Sequence, residues 1–187
     1  MTWTFSAHIP LAAIADRPTT HAWNDRDPLF YYREDRRLEN KLAKVSIRGV
    51  LALAADSAEW IAARWPTLAA SSLVPALEAM WLSIADGSEL PALATAAFAP
   101  NPADIHGPEH GPIGGAYYSL ANIADRARRS ASTVARCVEL AQLARHVLPD
   151  PEPFQTWFRA AVAHMQTRFA RSQADPFGPV IPRTMQR

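Results

Sequence analysis

The chain has 187 residues, of which 49% are hydrophobic and 20% charged, a balance that suits one folded domain with a real core and excludes intrinsic disorder. With 19 basic against 18 acidic side chains, the net charge of +1 gives no global field to steer the molecule onto nucleic acid or an anionic membrane. The single cysteine, Cys137, excludes an internal disulfide and is expected to be a buried, inert thiol in a reducing compartment.

Residues 1 to 9 alternate loosely through Trp3, Phe5, Ala7 and Ile9, as in a short strand or an arm laid on a core. Pro10 and Pro18 leave room for only a helical turn around Leu11 to Ala15. Asp27-Pro28 reads as a helix start, with Asp as cap and Pro at the first helical position. The charged segment that follows, to Lys44, is expected to be a solvated helix buried through Phe30, Tyr31, Leu38 and Leu42. Arg36-Arg37 on this segment serves solubility or, less simply, an anion site.

The centre of the chain, Ser46 to Gly87, reads as a helical hairpin. Ile47, Val50, Leu51, Ala54, Ala58, Ile61 and Trp65 recur at steps of three and four and line one face. Leu73, Leu77, Met80, Trp81 and Ile84 do the same in the second helix, and Pro66 and Gly87 act as stops. A short covering helix is expected from Ser88 to about Ala97. Eight Pro and Gly residues between Pro100 and Gly115 predict a long irregular loop over 99–115. A helix then resumes over Ala116 to Ala127, facing inward through Tyr117, Leu120, Ala121 and Ala124. The next carries Val134, Cys137, Val138, Ala141 and Ala144 as its inward stripe. Pro149-Asp150-Pro151-Glu152 opens a last helix with an aromatic face of Phe154, Trp157, Phe158, Ala161, Met165 and Phe169. From Ser172 onward periodicity stops, which predicts a flexible or surface-draped tail.

The expected fold is therefore all-α: a single-domain bundle of six or seven hairpin-stacked helices spanning 27–171, with an N-terminal arm (1–26) and a tail (172–187). No apolar run approaches the ~20 residues of a membrane span. The opening residues lack the basic-then-apolar pattern of a signal peptide, so a cytoplasmic chain is expected, without membrane or nucleic-acid partners.

Chemistry-bearing residues are few. His106-Gly-Pro-Glu109-His110 matches H-x-x-E-H, a zinc-peptidase pattern that needs both imidazoles on one helical face. The surrounding Gly107, Pro108, Gly111 and Pro112 break that helix, leaving His106 and His110, with Asp104 as a further oxygen ligand, as loop metal candidates only. Asp56 and Glu59 lie three apart on the central helix and share a face; contact with Arg48 or Arg64 is their expected use. Arg126, Arg128, Arg129 and Arg136 form a local basic patch without interleaved aromatics. No cofactor is expected.

The segments Leu51-Ala-Leu-Ala-Ala-Asp-Ser-Ala-Glu-Trp-Ile and Pro75-Ala-Leu-Glu-Ala-Met-Trp-Leu-Ser-Ile-Ala-Asp-Gly87, followed by Gly114-Gly-Ala-Tyr-Tyr-Ser-Leu-Ala-Asn-Ile and Ser132-Thr-Val-Ala-Arg-Cys-Val-Glu-Leu, resemble small helical bacterial immunity proteins of polymorphic-toxin and secretion-system loci. The resemblance covers about residues 46–146; the Cys often found before the Ala-Glu step is Ser57 here. It implies an all-helical, non-enzymatic binder of a cognate protein toxin. The expected interface is the 101–113 loop with flanking charges: Asp104, His106, Glu109, His110, Asp56 and Glu59. The alternatives are a small enzyme or metal-binding protein built on residues 106–110, and an adaptor that forms homo-oligomers through an apolar helix face.

Overall fold

The computed structural model describes residues 3–15, 17, 34–70, 73–87, 110–126 and 130–183, and among these the chain is all-helical. In order run α1 (Leu11–Ile14), α2 (Arg36–Leu42), α3 (Ile47–Arg64), α4 (Pro66–Ala69), α5 (Leu73–Asp86), α6 (His110–Arg126), α7 (Ser130–Val147) and α8 (Glu152–Arg168). The helices stack around α3, which packs against α5, α6, α7 and α8.

The hairpin of α3 and α5 forms as its periodicity predicts, but α3 is not amphipathic. From Ile47 to Arg64 every residue except Arg48 is buried. A helix that is apolar all round belongs inside a protein. Here Ala55 and Ala62 fill the flank of the predicted stripe, and Ala52, Leu53 and Ala63 the far side. Alanine permits this, because its small side chain lets neighbouring helices approach from several directions.

Caps and stops act locally. The Ser46 hydroxyl accepts from Gly49 N at 3.2 Å and starts α3. Pro66 opens the single-turn α4, where its missing N–H costs nothing. Gly87, at φ +80°, ends α5 in the left-handed region. The Asp35 carboxylate caps α2 by accepting from Leu38 N at 3.0 Å. The helix start expected at Asp27-Pro28 and the covering helix expected over 88–97 lie outside the described residues.

One expectation is overturned. The part of the predicted 99–115 loop from His110 onward is helical, as the start of α6, and 99–109 lie outside the described residues. Pro112 falls in the first helical turn, where no intrahelical donor is lost. Gly114 and Gly115 are buried, and Ile113, Ala116, Leu120, Ile123 and Ala124 form the inward stripe. Burial of this apolar stripe outweighs the poor helix propensity of glycine.

The tail lies on the helices as far as Arg183. Ser46 N donates to Phe169 O at 2.8 Å, and Arg171 N to Lys44 O at 2.8 Å, around an isolated bridge between Val45 and Ala170. Ile47 N and Arg48 N, free donors of the first turn of α3, donate to Pro176 O and Phe177 O, each at 3.0 Å. Ile181 is fully buried, and its N–H reaches Ile84 O at 3.0 Å.

Candidate functional site: the buried charges of the central helix

Asp56, Glu59 and Arg64 are the charged residues of α3 beyond its first turn. They are 1%, 0% and 0% exposed. A buried charge is costly unless paired and hydrogen-bonded, so each must be accounted for.

Glu59 is held by both ends of the chain. Its carboxylate accepts from Ser6 N at 2.8 Å and from the Ser6 hydroxyl at 3.1 Å. Arg183 Nη2 donates to Oε1 at 2.9 Å and also to Thr4 O at 3.1 Å. The Arg183 guanidinium lies 4.1 Å above the Trp3 ring and 5.8 Å from the Trp81 ring. The arm and the tail therefore meet over the middle of α3.

One turn earlier, burial holds the Asp56 carboxyl well above the usual carboxylate range; nearby Glu59 adds to this and Arg183 opposes it. Cys137 on α7 is fully buried, and burial, with Asp56 second, pushes its thiol far up. A thiol kept protonated is a poor nucleophile.

Arg64 works at the other end of α3. Its Nε donates to Val147 O at 3.1 Å and its Nη1 to Ile14 O at 2.9 Å, while Nη2 reaches Arg17 O. Ile14 and Val147 are the last residues of α1 and α7, so the cation sits at two helix C-termini, where carbonyl dipoles favour positive charge. Between the two clusters, His8 stacks on Trp157 at 4.5 Å, and Trp60 meets Phe154 edge-on at 5.5 Å. These rings fasten the arm to α3 and α8.

The expected contact of Asp56 or Glu59 with Arg48 or Arg64 is replaced. Glu59 takes Arg183, Arg64 takes backbone carbonyls, and Arg48 reaches Gly178 O while lying 4.9 Å from the Phe177 ring. Of the residues expected at a partner interface, Asp56 and Glu59 point into this interior network. His110 opens α6, and Asp104, His106 and Glu109 lie outside the described residues. Among the described residues no three His, Cys, Asp or Glu side chains are grouped to hold a metal ion. No described helix is long and apolar enough to cross a membrane. Sequence reasoning missed Ser6 and Arg183, because no local spacing links positions separated by 53 and 124 residues.

At the surface, α2, α7 and α8 enclose a cleft of about 630 Å³ lined by charged and polar side chains. Arg36, Arg37, Arg145 and His146 face it together with Glu34 and Asp35. Arg36 pairs with Glu34 at 2.9 Å, with both side chains mostly exposed. In the basic patch on α7, Arg136 pairs with Glu139 at 2.6 Å.

Comparison with known proteins gives no match: no family model matches the chain, and neither a curated protein nor a solved structure does.

Proposed function

We propose that this chain is a non-catalytic immunity protein that binds and neutralises a cognate bacterial protein toxin in the cytoplasm. The observation that carries the reading is the division of charge. Glu59 and Arg64 fasten the arm, the tail and two helix ends to α3. Charges of both signs line the cleft between α2, α7 and α8. A preorganised surface of mixed charge suits specific protein recognition, because complementary potentials set association rate and partner choice. The sequence resemblance over residues 46–146 supports the same reading.

The test is affinity capture with the tagged full chain, followed by co-expression with the captured protein. The expected result is one stoichiometric partner that arrests growth alone and is silenced by this chain. Reversing the cleft charge in R36E/R37E/R145E is expected to slow association at least about tenfold. A partner that is harmless alone, or toxicity that this chain leaves untouched, overturns the proposal.

A further inference from the structure

The surroundings of Arg183 have the chemistry of a receptor as well as that of a structural ion pair. Two indole faces, Trp3 at 4.1 Å and Trp81 at 5.8 Å, flank a planar cation. A fully buried carboxylate and the Thr4 carbonyl accept from its Nη2 at 2.9 and 3.1 Å. Aromatic faces with in-plane acceptors are the complement of a guanidinium, which stacks and donates in one plane. Two of the walls have supports besides Arg183. Glu59 is fixed by its two bonds from Ser6, and Trp81 is a core residue of α5, 4% exposed. The Arg183 side chain keeps 28% of its surface, so the site opens to solvent.

We infer that Trp3, Trp81, Glu59 and the Thr4 carbonyl form a guanidinium-binding site that Arg183 fills in cis, and that takes a guanidinium group from solution once Arg183 is withdrawn. The tail thereby acts as the site's resident ligand. The inference stands apart from the toxin reading, since it rests on the geometry of one cage and not on any partner.

The test uses the full-length chain carrying Arg183→Ala, titrated with methylguanidinium while the indole N–H resonances of Trp3 and Trp81 are followed by NMR. Both are expected to shift saturably at millimolar concentration. N-methylurea, a neutral planar isostere, is expected to bind at least about tenfold more weakly. The response is lost in the Glu59→Gln/Arg183→Ala double variant. Wild type, with its site filled, does not respond over the same range. If R183A fails to fold, recovery of its helical circular dichroism by millimolar methylguanidinium, but not by N-methylurea, becomes the readout. A linear shift, equal shifts with the urea, or a response that survives loss of the Glu59 charge overturns the inference, as does absence of recovery in an unfolded R183A.

Discussion

Asp56 carries its proton to higher pH in the folded chain than in the unfolded one, because burial beside Glu59 disfavours its charge. The sign of the linkage follows. A raised folded-state pKa contributes stability that is fully present below the unfolded value, about pH 4, and is lost as pH rises toward the folded value. Asp56→Asn replaces the carboxylic acid with a neutral group of similar shape. Urea denaturation at a series of pH values is expected to show the D56N advantage over wild type growing steadily above about pH 4. A constant difference between the two proteins would place the titration elsewhere. Glu59, at the same depth, has partners of its own in Arg183 and the two Ser6 donors.

Among the elements, the junction between the tail and the start of α3 depends on one glycine. Gly178 sits at φ +80°, and a Cβ there would lie 2.5 Å from the Ser46 Cβ. Ser46 is also the cap of α3, so Gly178→Ala combines left-handed strain with a clash against the residue that starts the central helix. The expected loss is about 2 kcal/mol or more, measured by urea unfolding; a loss under ~0.5 kcal/mol would show that the tail does not brace α3. Local signals of this kind read well from sequence. The α7 stripe of Val134, Cys137, Val138, Ala141 and Ala144 and the aromatic face of α8 pack inward as their spacing predicts. Gly87 stops α5 for a purely local conformational reason. Two elements misled for opposite reasons. In α3, the apolar stripe marks only one face of a helix buried everywhere but at Arg48, since periodicity does not show that its charges meet partners far along the chain. In α6, glycine and proline hide a helix whose Gly114 and Gly115 are buried in the fold.

For the whole molecule, everything converges on α3. Leu51, Leu53 and Ile61 are fully buried, and each such side chain contributes about 1.5–3 kcal/mol of burial. The amides of α3 should therefore exchange with solvent only when the entire protein unfolds. Native-state hydrogen exchange is expected to give α3 the full global free energy and α1 far less; α3 amides exchanging through smaller openings would contradict a common core. The position of Arg183 also bears on how the molecule is made. A ribosome adding about 5–20 residues each second reaches Arg183 some 6–25 s after Glu59, since the two are 124 residues apart. Through that interval the nascent central helix carries a carboxylate whose counter-ion does not yet exist. The full set of contacts around Glu59 is thus completed only when the segment carrying Arg183 has been made, and a chain stalled before that residue has the Ser6 donors but not the guanidinium.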